Sequence, residues 1–184
     1  MNASLLLVSL PLVSLSLISL SVGTVLTTAV AADPTQLKNF LNTGQCEGCD
    51  LSGASLYSFV FEGVNLKNAN LSLAALQGAK LNFATLEKAN LERSNLALVE
   101  FKDANLQGAN LSQANLYGAN LRNADLSGAN LQGAILEGAD LRGANLSEAN
   151  LQKANFVRAK MAGVNLTSAK LGGARMPDGR EYKQ

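Results

Sequence analysis

The sequence predicts an all-β solenoid, and three observations predict it. A period of five runs unbroken from Leu51 to Met176, with Leu, Phe or Met at every fifth place. Of these 26 positions 21 are Leu, and the others are Phe61, Phe101, Phe156, Met161 and Met176. Two places before each stands a small residue, usually Ala (Ala54, Ala69, Ala74), and between them a polar one, most often Asn (Asn65, Asn70, Asn90). Pro is absent throughout this stretch, consistent with backbone donors paired between stacked strands. A period of five fits neither the helix at 3.6 nor the strand at 2.0. A helix would smear the leucines round its circumference, and a straight strand would send them to alternate faces. The chain must therefore turn once per period so that every Leu points to one axis. Gly is frequent two places after Leu (Gly53, Gly63, Gly78), as turns with positive φ favour.

Residues 1–31 have the character of a secretory signal peptide. All 29 charged side chains lie at or after Asp33, and Leu5 to Leu26 is a long Leu/Ser/Val stretch. Ala29-Val30-Ala31 supplies an A-x-A cleavage site, with cleavage expected after Ala31 and Val30-Ala31-Ala32 as the alternative. The segment before the apolar stretch lacks Lys and Arg, which departs from the usual leader. The competing reading is an uncleaved anchor, since the stretch is about long enough to span a bilayer, although serines dilute it.

Residues 32–45 read as a short capping helix. Asp33 is placed to cap it, Pro34 to open it and Gly44 to close it. Leu37, Phe40 and Leu41 fall at i, i+3 and i+4. They are the expected cap face over the open end of the solenoid, whose first turn needs covering. The repeats occupy 46–176. Pro177-Asp178-Gly179-Arg180 is a turn signal that stops the register, leaving 177–184 as a polar tail, frayed from Glu181 onward.

The phrase Ala-Asn-Leu-x-x resembles that of the pentapeptide repeat family, over roughly Cys49 to Met176. The resemblance implies a right-handed quadrilateral β-helix with four pentapeptides per coil. The 26 repeats then make about six and a half coils, a rod roughly 30 Å long at strand spacing. A stride of twenty exposes columns. Positions 64, 84, 104, 124, 144 and 164 read Val, four Ala and Val, larger at the ends where the core opens. Asn70, Asn90, Asn110, Asn130 and Asn150 form an unbroken run, expected to hydrogen-bond along a ladder. Ser94, in an inward small column, is expected to bond backbone. The leader and the stretch from Cys46 to Ala54 resemble exported cyanobacterial members. In such a compartment Cys46 and Cys49 are free to form a disulfide, or Cys49 packs simply as a buried hydrophobe. A redox motif lacks its βαβ context, Asp50 replaces the His a haem site needs, and two thiols do not make a metal site.

The function classes narrow accordingly. His is absent, which removes the commonest general base and metal ligand. No nucleophile elbow or phosphate loop appears, so no catalytic, cofactor or metal residue is expected and the chain is read as a non-enzyme. With 15 basic and 14 acidic residues and neither sign in a block, no nucleic-acid partner is expected. Inhibition of a DNA-handling enzyme by mimicry, known in the resembled family, is disfavoured for want of a single-sign field and by the leader. Lys102, Arg122 and Arg142 share one column as a candidate anion or partner surface, with Asp103, Asp125 and Asp140 nearby. Exposed Leu73, Phe83, Leu98, Tyr57 and Tyr117 are expected on different faces. The reading is a non-catalytic interaction scaffold exported to the periplasm or thylakoid lumen. It would have a protein partner and touch membrane only through an uncleaved leader.

Overall fold

The computed structural model describes residues 31–183; the expected leader over residues 1–31, all but Ala31, and Gln184 lie outside them. Helix α1, Pro34–Thr43, forms where the capping residues place it. Asp33 Oδ1 accepts from the N–H groups of Thr35 and Gln36 at 2.8 and 2.9 Å. Gly44, at φ 67°, donates its N–H to Phe40 O at 2.8 Å. The helix meets the repeats along a narrow stripe. Phe40 is buried with its ring 4.5 Å from that of Phe61, Leu37 packs partly against the core, and Gln36 Oε1 accepts the Asp50 N–H at 2.6 Å. Leu41 corrects the expected cap face, being 42% exposed. The contact stripe runs through Asp33, Gln36, Leu37, Phe40 and Gly44, and Leu41 lies one helical step, about 100°, to its side.

From Gln45 onward the chain coils with a stride of twenty. Parallel bridges run from Gln45↔Asn65 to Asn155↔Arg175, one per pentapeptide. Twenty residues at five per turn give four sides. On each side the Leu N–H donates to the next coil, as Leu71 does to Asn90 O at 2.7 Å, and Asn90 returns its N–H to Ala69 O at 2.9 Å. The side then ends in a tight turn, Ala74 N–H to Leu71 O at 3.1 Å. The third residue of this turn has positive φ, as a type II turn requires. That holds at every corner from Gly48 (67°) to Gly173 (71°), whether the residue is Gly or, as at Leu73 (59°) and Phe83 (61°), is not. Three residues make a side and two make a corner, which is the physical origin of the period of five. Each side carries a single bridging residue, so no strand grows longer.

The leucines converge as expected. Leu71 to Leu151 in steps of five, with Phe101 replacing one, are essentially fully buried beside the small Ala columns. Burying each Leu is worth roughly 1.5–3 kcal/mol. Ser94 Oγ donates to Leu91 O at 2.6 Å, keeping the one inward hydroxyl satisfied. Cys46 takes the leucine place of the first pentapeptide and is buried. At the far end Met161, Val164, Leu166 and Ala169 are only partly covered.

The C-terminal tail is ordered where fraying was expected. Pro177 does stop the register, but Met176 N–H reaches Arg180 O at 2.7 Å and Glu181 pairs antiparallel with Arg175. Tyr182 donates to Ala174 O at 2.7 Å and accepts from Gly173 N–H at 3.1 Å. The last coil has no successor, and for Gly173 and Ala174 the tail takes over the backbone partners that a successor would have supplied.

Leu116 sits mid-rod with no exposure. Leu116→Asp places an unpaired charge on the dry axis and should lower stability by about 4 kcal/mol or more, read by chemical denaturation. A cooperative transition at the parental midpoint would contradict the inward assignment.

Candidate functional site

The surface available for function is four flat sides and four corner edges, and the sequence builds both from the same Asn. In the column from Asn70 to Asn150 each Nδ2 donates down to the previous coil. The distances are 3.0 Å (Asn70 to Asp50), 3.3 Å (Asn90 to Asn70), 3.1 Å (Asn110 to Asn90), 3.2 Å (Asn130 to Asn110) and 3.1 Å (Asn150 to Asn130). Each Oδ1 also accepts the N–H two residues on, for example Ser112 N–H to Asn110 at 3.2 Å. The second bond is an Asx turn, and it aims the chain into the corner. The ladder foreseen from the unbroken run is therefore only half of what Asn does. Shorter ladders occupy other sides, with Asn115 on Asn95 at 3.3 Å and Asn165 on Asn145 on Asp125 at 3.0 and 3.1 Å.

The cationic column is largely answered within the chain. Arg142 grips Asp140 through two bonds, Nε to Oδ1 at 2.8 Å and an Nη to Oδ2 at 2.5 Å. Lys102 Nζ lies 3.6 Å from Asp103. Two of the three expected anion-binding groups thus already have carboxylate partners. Exposed pairs of this kind add little stability, but they remove the bare positive stripe that the column suggested. The Arg142 hydrogen bonds hold the Asp140 carboxyl at about 2, below the ordinary 3.8, against a desolvation that pushes it up; Arg122 adds a smaller pull. Because the folded value is depressed, the contribution is complete above the ordinary value and fades as pH falls through about 2.

Apolar side chains also line one corner. Leu98 is 62% and Tyr117 is 52% exposed, and Leu98 N–H donates to Tyr117 O at 2.8 Å. They therefore stand on neighbouring coils of one edge, with the Leu98 Cδ2 lying over Gly118. Tyr57 heads the same column, two strides of twenty before Ala97. Leu73 and Phe83 belong to other corners, so the expectation of different faces holds for those two and fails for Tyr57, Leu98 and Tyr117. The stride of twenty, applied to the corner positions as well as the sides, was the signal that would have found the pair.

Cys46 and Cys49 are at disulfide distance, with Cα atoms 5.3 Å apart. A corner brings its first and fourth residues together, so the turn itself sets this separation. They line a groove of about 360 Å³ between α1 and the first coil, with Gln36, Asn39, Glu47 and Asn65. A second groove, about 470 Å³, runs along the polar corner of Gln107, Asp125, Ser127, Asn145 and Glu148. Among the described residues no cluster of three metal-ligating side chains occurs.

The four-sided coil and its Asn rows match a known family. The family model described as pentapeptide repeats matches residues 45–82, 74–113, 100–138 and 139–176. The chain belongs to the pentapeptide repeat family. Its coil is accordingly a right-handed quadrilateral β-helix, a fold shared with trypsin-treated QnrB1, a plasmid-mediated fluoroquinolone resistance protein. The two are 21% identical over 72% of this chain and 68% of that one, with a TM-score of 0.52. Two cyanobacterial pentapeptide repeat proteins align less closely in space. HetL of Nostoc sp. strain PCC 7120, involved in heterocyst differentiation regulation, is 22% identical over 79% of this chain and 98% of its own, with a TM-score of 0.34. Rfr23 of Cyanothece 51142 is 29% identical over 74% and 97%, with a TM-score of 0.39. A search of curated proteins found no match.

Asn110→Ala removes the ladder bonds to Asn90 and Asn130 and the Asx turn to Ser112. A loss of about 1–2 kcal/mol is expected in urea unfolding, and an unchanged midpoint would contradict the ladder. Arg142→Met should return the Asp140 carboxyl toward the ordinary carboxylate range, followed by its carboxyl carbon shift in an NMR pH titration. A titration unchanged from the parent would contradict the grip.

Proposed function

We propose that this pentapeptide repeat protein is a non-catalytic scaffold, exported to the periplasm or thylakoid lumen, whose rigid faces bind a protein partner. One observation carries this reading: the Asn ladders and corner turns set the outward positions in straight rows, one coil apart. A surface with that order is pre-organised for binding, so little conformational entropy is lost on docking. The Leu98–Tyr117 edge supplies the kind of amphipathic anchor that binding sites favour. About six and a half coils, covered on part of the start by α1, give the rod its length. Export follows from the composition of residues 1–31, with cleavage after Ala31, and suits a Cys46–Cys49 disulfide. Inhibition of a DNA-handling enzyme finds less support, because carboxylates and cations are interleaved and paired along the corners where mimicry needs one sign.

Crosslinking in the native compartment, followed by pull-down and a mass measurement of the mature N-terminus, tests this directly. The expected result is a chain beginning at Ala32 that brings down one reproducible protein. Recovery of nothing above background, or of a cytoplasmic chain with its leader intact, would refute it.

A further inference from the structure

The two ends of the rod differ in charge and are each half finished. Four acidic residues and one basic residue lie between 33 and 62, whereas seven basic and two acidic residues lie between 153 and 183. The near-neutral total conceals a rod that is acidic at its start and basic at its finish. Neither sign forms a block, yet the two ends differ in net sign.

The backbone shows the unfinished halves. At the start, α1 serves Asp50, donating Asp33 N–H to Asp50 O at 3.2 Å, while Ser55 and Val60 remain. Their counterparts one coil on, Ala75 and Lys80, donate back to Ala54 O and Phe59 O at 2.9 and 2.8 Å. Among the described residues the N–H groups of Ser55 and Val60 have no acceptor. Beside them Tyr57, Phe59 and Val60 are 53%, 41% and 64% exposed. At the finish the tail serves Arg158, Gly173, Ala174 and Met176 but not the neighbouring sides. Leu141 and Leu146 donate to the following coil at 2.9 and 2.8 Å, but Met161 and Leu166, one stride on, find no acceptor among the described residues. Met161, Val164, Leu166 and Ala169 leave the core partly open to water.

We propose that the basic, open finish of one rod seats on the acidic, open start of a second copy, so that rods associate head to tail. Charge decides the orientation. Finish against finish, or start against start, sets like charges together, whereas finish against start pairs them. Polarity agrees, because the finish offers the Leu-place donors that successive coils use to bind the coil after them. Such a contact is heterologous and does not close on itself, so it builds rods in series rather than a dimer. The apolar rims of the two ends bury each other, and the outer cations (Lys160, Lys170) face the outer carboxylates (Glu47, Glu62), all exposed. This inference does not depend on the protein being exported or on its partner.

Sedimentation velocity on the full chain, as isolated from an exporting host, tests it over a concentration series at low and high salt. The expected result is a mean mass that climbs past the dimer with concentration and falls back as salt screens the contact. Lys160→Glu with Lys170→Glu reverses the outer charges of the finish, and Glu47→Lys with Glu62→Lys reverses those of the start. Each pair should weaken self-association about ten-fold or more while keeping the parental melt, and mixing the two variants should restore mixed assembly. A monomer at all concentrations overturns the proposal. So does assembly that stops at two, or association indifferent to salt and to both reversals, as an apolar leader would give. Binding of a monomeric chain to anionic vesicles would overturn it in favour of a membrane-facing end.

Discussion

Everything in this fold depends on one hydrogen bond repeated at every corner from Leu66 onward, from the N–H of the small residue, usually Ala, to the carbonyl three residues earlier, usually of Leu. It requires the residue before Ala to take a positive φ. Once that is met the chain turns, three extended residues follow, and the next Leu points at the same axis. Gly is the easy solution, but Leu73, Phe83, Arg93 and Leu98 also hold the left-handed conformation. Among the described residues fourteen non-Gly residues do so, which is rare enough elsewhere to show how firmly the surrounding coils impose it. The period of five, the dry axis and the flat sides are all consequences of that turn.

Asn links this local requirement to the long-range one. Its carbonyl oxygen bonds the corner N–H within its own pentapeptide and its amide bonds the coil before it, so one residue type serves both turn and stack. This explains why a sequence of low complexity specifies one register. A slip of one residue would break the Asx turn, the ladder and the leucine axis together.

Much of the fold was legible because it repeats. The leucine axis, the Ala columns, the backbone bond of Ser94 and both caps of α1 follow from residue type and spacing alone. What was not legible depends on how pieces dock. Leu41 matches a helical face as well as Leu37 does, and only the crossing of α1 over the first coil decides between them. Glu181 and Tyr182 carry no strand signal of their own; their pairing arises because Gly173 and Ala174 have no following coil. The candidate surface was legible only in part. The Lys102, Arg122 and Arg142 column exists, but which carboxylate each cation meets depends on rotamers that spacing does not encode. The meeting of Leu98 with Tyr117 needed the stride of twenty carried through the corners. Cys46 was hidden for a similar reason, since it holds a leucine place one repeat before the Leu series begins.

The central claim is that residues twenty apart are stacked neighbours around one dry axis. Methyl NOE spectroscopy on selectively labelled Leu tests it most directly. The account predicts cross-peaks from Leu116 to Leu96 and to Leu136, one coil below and one above. Cross-peaks confined to leucines close in sequence, with those two missing, would contradict it.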